Sequence, residues 1–189
     1  MVPSPTSRLR FREMALEDLD AMARLLGDPV VMAYYPRPKT RPEALAWIEW
    51  NLRNYREHGY GLWIVDSDDG TFLGDCGLTW QRVNGLPRLE VGYHVLPEFQ
   101  GRGLATEAAL ACRDFARDVL GNPELVAIIH PENQASLRVA EKLGMVQRDD
   151  DHGDSGLVRT VMAMEFRASR AEPPAPERDG ADHSKRSSR

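Results

Sequence analysis

The sequence predicts an α/β fold in which one mixed sheet carries helices on both faces. Two helical segments precede a meander of strands, and helices then alternate with strands towards the carboxyl end. Residues 124–129 form an apolar run without polar alternation, which is typical of a strand covered on both faces. These observations favour a layered sheet-and-helix domain over an all-helical or all-β one.

The composition indicates one soluble domain. The chain has 189 residues, of which 42% are hydrophobic and 28% charged, values that are ordinary for globular proteins. A formal charge of −5 argues against a nucleic-acid partner. The sequence shows neither a membrane-span run nor a signal-peptide core, so we expect a cytoplasmic protein without membrane contact. Cys76 and Cys112 follow no pattern and are expected to be buried thiols.

The amino-terminal part is expected to contain one strand and two helices. Alternating residues predict a strand over 8–13, and the next helix is expected over 17–26. Thr40 and Glu43 have the spacing of a capping box, which predicts a second helix from there to about His58.

A meander of strands is predicted next. Strands are expected over 62–65 and 71–80, and another over 89–96. Asn84-Gly85 is a strong signal for a two-residue hairpin turn between the last two.

Helices and strands alternate in the carboxyl-terminal part. Apolar residues at helical spacing predict a helix over 104–119, and the buried strand at 124–129 follows. Asn133 is expected to cap a helix that ends near Leu143. A final hairpin is predicted from strands at 145–148 and 157–166.

The acidic residues Asp149–Asp151 and Asp154 are interpreted as the solvated loop of that hairpin. The alternative is a surface that attracts a cationic acceptor. As domain boundaries we expect a flexible start at 1–7, one domain at 8–166, and a disordered tail at 167–189, whose composition offers nothing to pack.

A phosphate-binding turn is predicted where the third strand of the meander ends at Pro97. Gly101 and Gly103 keep side chains away from the start of the helix at Leu104. Unpaired N–H groups and the positive end of the helix dipole then converge on one point, which suits a pyrophosphate. Arg102 adds a positive charge beside it.

Two familiar phosphate loops do not match this turn. No Gly-Lys-Ser/Thr follows, which excludes a Walker loop. Thr106 stands where a dinucleotide loop has its third small residue, and no acidic residue suits the ribose position.

The spacing Gln100-x-x-Gly103-x-Ala105, after a strand ending in Leu-Pro-Glu, resembles the acetyl-coenzyme A loop of the GNAT N-acetyltransferases. The run from His130 to Met145 is similar to the second signature of that family. Within the family, the sequence is most similar to the RimJ/RimL-like branch of ribosomal-protein N-terminal acetyltransferases. The resemblance extends from about residue 8 to residue 166.

The resemblance implies acetyl-CoA as cosubstrate and an amine as acceptor. It implies that the fourth strand separates from the fifth, with the pantetheine arm between them, and Gly92 marks either that approach or a simple kink. Together with the predicted turn, the expected coenzyme contacts are His94, Val95, Leu96, Gln100, Gly101, Arg102, Gly103, Leu104, Ala105, Thr106, Asn133 and Ser136.

Acetyl transfer needs a neutral amine, a stabilised oxyanion and a proton for the thiolate. Glu90 is the preferred base because the Glu-x-Gly-Tyr run recurs in this branch, although an exposed strand carboxylate is the alternative. For His94 we favour an ordinary strand histidine over a base. Many family members place a tyrosine acid where this chain has Ala140, and Ser136 is the proposed substitute.

The acceptor pocket is expected to be lined by Tyr34 and Tyr35, beside a proline-rich break, and by Glu90. Trp47 and Trp50 are interpreted as core residues. The five histidines show no metal-ligand spacing, so no metal is predicted.

The predicted function is acetyl-CoA-dependent N-acetylation of a primary amine by direct attack. A non-catalytic acyl-CoA-binding module on the same fold is the alternative, because the usual tyrosine is missing. A dinucleotide oxidoreductase is disfavoured because the chain lacks a second nucleotide-binding half. The sequence leaves open whether the acceptor is a protein N-terminus or a small molecule, and whether the protein is a monomer or a homodimer.

Overall fold

Within the residues that the computed structural model describes, 1–153 and 158–166, seven strands form one sheet flanked by helices. The strands are β1 (Leu9–Arg12), β2 (Leu62–Ser67), β3 (Phe72–Val83), β4 (Leu86–Val95), β5 (Glu124–Ile129), β6 (Val146–Asp151) and β7 (Arg159–Glu165). The α-helices are α1 (Leu19–Gly27), α2 (Arg41–His58), α3 (Leu104–Asp118) and α4 (Gln134–Lys142). The sheet order is β1-β2-β3-β4-β5-β7-β6. Only β4 and β5 pair in parallel, so the predicted mixed sheet is confirmed.

Two apolar cores cover the opposite faces of the sheet. Successive strand residues point to opposite faces. In β2, Leu62 and Ile64 pack into the core that α1 and α2 contribute. Trp63 and Val65 pack into the core that contains α3 and Ala140 of α4. The predicted placement of helices on both faces is therefore confirmed.

The predicted hairpin turn between β3 and β4 is confirmed at Asn84 and Gly85. Their φ angles of 48° and 82° are the left-handed values that a type I′ turn needs at both central positions. The register runs without a shift from Val83 opposite Leu86 to Gly74 opposite Val95. Both strands therefore come three residues closer to the turn than predicted.

The interpretation of Asp149–Asp151 as a solvated loop is wrong. These residues lie in β6, and Asp151 is only 1% exposed. Asp151 accepts the backbone N–H of Asn84 at 2.9 Å and pairs with Arg159 through Nε at 3.1 Å. The sequence pattern missed this role because the partners come from the distant β3–β4 turn. The predicted Asp154 lies outside the described residues.

Residues 1–7 contact the domain at several points. The indole N–H of Trp63 donates to the carbonyl of Met1 at 3.1 Å, and Pro3 is buried. Thr6 donates its hydroxyl to Glu107 at 2.5 Å. The domain boundaries at 8 and 166 stay a prediction, and the tail at 167–189 lies outside the described residues.

Cys76 and Cys112 are buried free thiols, as predicted, with their sulfurs 3.5 Å apart. Over residues 1–153 and 158–166, no helix combines the length and apolar character needed to cross a bilayer.

Candidate active site

A large cleft opens where β4 separates from β5. The parallel pairing between these strands is confined to Glu90 opposite Val126. Beyond that pair lies a cavity of about 1360 Å³. Its volume exceeds the ~300–1,000 Å³ of ordinary small-molecule pockets, so it has room for two substrates.

Gly92 lies beside this cleft without forming a bulge. The β3–β4 register continues unbroken through Gly92 opposite Gly77. A Cβ at Gly92 would stand 3.7 Å from Leu62, which is ordinary contact, so the β3–β4 packing does not require glycine there. Since Gly92 lines the cavity, the missing side chain leaves space at the strand separation.

The glycine turn on which the phosphate prediction rests is present at the start of α3. Gly101 and Gly103 have φ values of 74° and 77°, in the left-handed region that favours glycine. The first helical hydrogen bond runs from the N–H of Glu107 to the carbonyl of Gly103. The N–H groups before Glu107 have no partner within the helix, which leaves them available to an anion.

Arg8, the residue before β1, braces this turn. Its Nε donates to Glu107 at 2.7 Å, and its Nη1 donates to the carbonyl of Arg102 at 3.1 Å. Sequence spacing does not reveal this brace, because the partners lie about a hundred residues apart.

Most of the predicted coenzyme residues line the cavity. They are His94, Val95, Gln100, Gly101, Gly103, Leu104, Ala105, Thr106, Asn133 and Ser136. The Gln100 amide donates to the carbonyl of Val95 at 2.9 Å. A pantetheine amide that bonds the same carbonyl would share it with Gln100.

Leu96 and Arg102 are the two predicted coenzyme residues that do not line the cavity. Leu96 is buried, its N–H donates to the carbonyl of Leu73, and its carbonyl accepts from Phe99. Its backbone is therefore committed to the fold. The Arg102 guanidinium lies over the ring of Phe99 at 5.6 Å and reaches the site only as a nearby charge.

Glu90 lies at the point where β4 and β5 part. Its Oε1 accepts the backbone N–H of Ile128 at 3.2 Å. The N–H of Ile128 lies beyond the single paired position of β4 and β5. The Glu90 carboxylate therefore accepts this N–H in place of a backbone carbonyl of β4. Burial raises the pKa of Glu90 to about 7, against the opposing effects of the Ile128 hydrogen bond and the charge of Arg159. Glu90 is thus a cleft carboxylate and not an exposed strand residue.

His94 lies on the same face of β4 and is nearly buried. Its Nδ1 is 2.7 Å from Asp75, and its Nε2 is 2.8 Å from the hydroxyl of Tyr35. Both ring nitrogens of His94 therefore have hydrogen-bond partners, as expected for a strand histidine. Asp75 was not predicted, because nothing in the sequence of β3 distinguishes it before the strands are paired.

The start of α4 faces the same cleft. Asn133 caps the helix by accepting the N–H of Ser136 at 3.0 Å, as predicted. Tyr93 donates its hydroxyl to the carbonyl of Ser136 at 3.2 Å, so this turn is held from both sides. Ala140 is buried and offers no acid, whereas Ser136 lines the cavity.

The loop between α1 and α2 covers the other end of the cavity with Tyr34 and Tyr35. Tyr34 reaches the β5–α4 connection, where its hydroxyl donates to the carbonyl of Glu132 at 3.3 Å. Trp47 and Trp50 pack on the α1–α2 core, as predicted, and they also line the cavity, which was not predicted. In the described part of the chain, no three His, Cys, Asp or Glu side chains are grouped to hold a metal ion.

Comparison with known proteins assigns the family. Residues 8–146 match the model of the acetyltransferase (GNAT) domain. An uncharacterised protein of Bacillus subtilis, YkkB, is 40% identical over 142 residues, covering 74% of this chain and 83% of that protein.

Two further proteins agree with this match. The spermidine N(1)-acetyltransferase of Escherichia coli K12 is 29% identical, covering 76% of this chain and 75% of that protein. The crystal structure of an acetyltransferase from Agrobacterium tumefaciens superposes with a TM-score of 0.77 at 26% identity, covering 88% of this chain and 95% of that one. The resemblance noted from the two motifs is confirmed: this chain belongs to the GNAT family of acetyltransferases, which use acetyl-CoA as the acetyl donor.

Proposed function

We propose that this protein is an N-acetyltransferase that transfers the acetyl group of acetyl-CoA to a primary amine by direct attack. The observation that carries the proposal is the position of Glu90 at the separation of β4 and β5. A carboxylate whose pKa is about 7 is suited to accept a proton from an amine near neutral pH. A module that only binds acyl-CoA would have no use for such a base.

The cleft residues fit acetyl-CoA. We assign the pyrophosphate to the N–H groups of the turn at 101–106, and Asn133 lines the same cavity. Acetyl-CoA supplies the activated acetyl group, and every other task falls to side chains of this chain. We assign to Glu90 the proton of the incoming amine, and to Ser136 the proton delivered to the departing thiolate.

For the acceptor we propose a primary amine that enters past Tyr34 and Tyr35. The aromatic rings of these residues and of Trp47 offer flat apolar walls, and Glu90 offers a negative charge. A protein N-terminus would agree with the RimJ/RimL-like branch, whereas a polyamine would agree with the similarity to the spermidine enzyme. We further propose one catalytic domain at 8–166 with a cytoplasmic location, as a monomer or a homodimer.

The function is tested by incubating the full chain with acetyl-CoA and three acceptors, namely spermidine, free amino acids and a short peptide with a free N-terminus. Release of CoA thiol and the acceptor's gain in mass report turnover. A thermal-shift series with acetyl-CoA, CoA and NAD reports binding separately. Binding of acetyl-CoA without turnover of any amine would favour the non-catalytic alternative, and stabilisation by NAD alone would contradict the proposal.

Gly103→Val is expected to weaken acetyl-CoA binding at least tenfold, or about 1.4 kcal/mol. The new side chain would occupy the space that the pyrophosphate needs, and valine is strained at a φ of 77°. Gly70→Val is the matched control, because Gly70 has a φ of 81° in open space outside the cleft. Calorimetry should show the loss for Gly103→Val alone, and equal affinities would disprove the phosphate assignment.

A further inference from the structure

A chain of three hydrogen-bonded groups runs from the buried sheet into the cleft. Asp75 on β3 stands directly opposite His94 on β4 and is 0% exposed. One carboxylate oxygen of Asp75 is 2.7 Å from Nδ1 of His94, and the other accepts the indole N–H of Trp47 at 3.2 Å. At the far side of the ring, Nε2 of His94 is 2.8 Å from the Tyr35 hydroxyl.

The donors and acceptors along this chain follow from Asp75. An ionised carboxylate only accepts, so Nδ1 of His94 carries a proton and donates it to Asp75. In the neutral ring, Nε2 is then an acceptor and takes the hydroxyl proton of Tyr35. The oxygen of Tyr35 is left with its lone pairs available to a donor in the cleft.

A purely structural role does not explain why this chain ends at the cleft. A carboxylate with no exposure is costly to bury, and a hydrophobic pair would pack as well at the same positions. The outer end is Tyr35, which is 42% exposed in a loop and lines the same cavity as Glu90. The network therefore connects a buried negative charge to the space where the amine enters.

We propose that Tyr35, His94 and Asp75 form a relay that accepts a proton from the acceptor amine. The proposal rests on the acetyltransferase function above and adds a second proton acceptor to Glu90. In this scheme Tyr35 is the catalytic residue that touches the amine, and Asp75 is a positioning residue that acts through His94. The arrangement parallels the way an aspartate orients a histidine in a hydrolase triad.

The protons balance as follows. An ammonium must lose two protons on becoming an amide, and the first passes to Glu90. As the nitrogen–carbon bond forms and the carbon–sulfur bond breaks, the second passes to the oxygen of Tyr35, whose own proton moves to Nε2 of His94. Asp75 stabilises the resulting imidazolium. One proton then reaches the thiolate through the Ser136 hydroxyl, and the other leaves to solvent.

Several charged groups face this relay from the surrounding elements. Glu90 on β4 and Arg159 on β7 act on the charge of Tyr35 from opposite directions. Lys39 lies over the ring of Trp47 at 5.2 Å, and Glu43 of α2 lines the same cavity. These groups stay in place in a Tyr35→Phe variant, which removes only the hydroxyl.

The test is the dependence of kcat on pH at saturating concentrations of both substrates. Two groups must be unprotonated at the start of turnover, so log kcat of the wild type should approach a slope of two on the acid side. Tyr35→Phe should lower kcat by about 10²-fold at pH 7, the low end for loss of a general base, and reduce the slope to one, because Glu90 alone remains. His94→Gln should give the same slope, and the double variant should be no slower than either single one.

Tyr60→Phe is the matched control, since Tyr60 accepts the indole N–H of Trp80 outside the cavity. It should keep the slope of two. Acetyl-CoA affinity, measured by calorimetry, should be unchanged in Tyr35→Phe and Tyr60→Phe. A wild-type protein that acetylates an amine while Tyr35→Phe keeps the wild-type slope and rate overturns the relay alone. A wild-type protein that binds acetyl-CoA but acetylates no amine overturns the proposed function, and the relay with it.

Discussion

Replacing Glu90 with glutamine is expected to lower kcat by about 10²–10⁴-fold at pH 7. Burial raises the pKa of the wild-type carboxyl to about 7, so its basic form becomes populated as the pH rises through that value. The wild-type rate should rise over the same range. The Gln variant cannot take up the proton, and raising the pH should recover part of its loss because more of the amine is then neutral in solution.

The measurement is kcat against pH for the wild type, Glu90→Gln and Glu57→Gln. Glu57 is an exposed residue of α2 and serves as the control for the chemical change. Only the Glu90 variant should be impaired. Wild-type rates in Glu90→Gln across the whole range would show that another group prepares the amine.

The same carboxyl should also affect stability. Its pKa rises from the ordinary 4.5 to about 7 on folding, so the folded state binds the proton more tightly between these values. Stability therefore falls as the pH increases from about 4.5 to 7, and the loss is complete above that range. Glu90→Gln should melt at a higher temperature than the wild type at pH 8, with a smaller difference at pH 5. Calorimetric scans at the two pH values test this sign independently of activity.

Ser136→Ala is expected to lower kcat by about 10²-fold, the low end for loss of a general acid, because a water molecule can take part of the role. Its position is well defined, since Asn133 accepts its N–H and Tyr93 binds its carbonyl. The dissociation constant for acetyl-CoA should hardly change. Higher pH should not restore the rate, because a more basic medium does not help to protonate a thiolate.

Steady-state kinetics over pH separate this defect from that of Glu90→Gln. Ser4→Ala provides the control, because Ser4 is exposed and lies away from the cavity. If Ser136→Ala turns over at the wild-type rate, the thiolate receives its proton elsewhere. If both Glu90→Gln and Ser136→Ala remain fully active, the enzyme works by positioning its substrates.

The elements that the sequence predicted correctly depend on local chemistry. The capping interaction of Thr40 and Glu43 forms within one turn, because the Glu43 carboxylate accepts both the backbone N–H and the hydroxyl of Thr40. Asn84-Gly85 makes its hairpin, because left-handed φ values are a property of those residues. The phosphate turn likewise depends on the backbone freedom of Gly101 and Gly103, so it too could be predicted from local sequence.

Prediction was wrong where partners come from distant parts of the chain. Asp151 looks like a member of a solvated acidic run until β6 brings it to Asn84 and Arg159. Leu96 was predicted to end the coenzyme-binding strand, but the strand ends at Val95 and the N–H of Leu96 donates to the carbonyl of Leu73. The role of a charged side chain or a backbone N–H depends on the group that faces it in the folded sheet. Sequence spacing does not show which group that is.

The sequence by itself therefore determined the family, the mixed sheet with helices on both faces, the glycine turn before α3 and the presence of Glu90 on the central strand. Only the tertiary structure decided the environment of that carboxyl and the partners of His94. The pKa of Glu90 depends on burial at the separation of β4 and β5, and the Asp75–His94–Tyr35 chain joins two strands and a loop. Burial and pairing of this kind arise only when the sheet assembles, because each requires residues that are far apart in the chain.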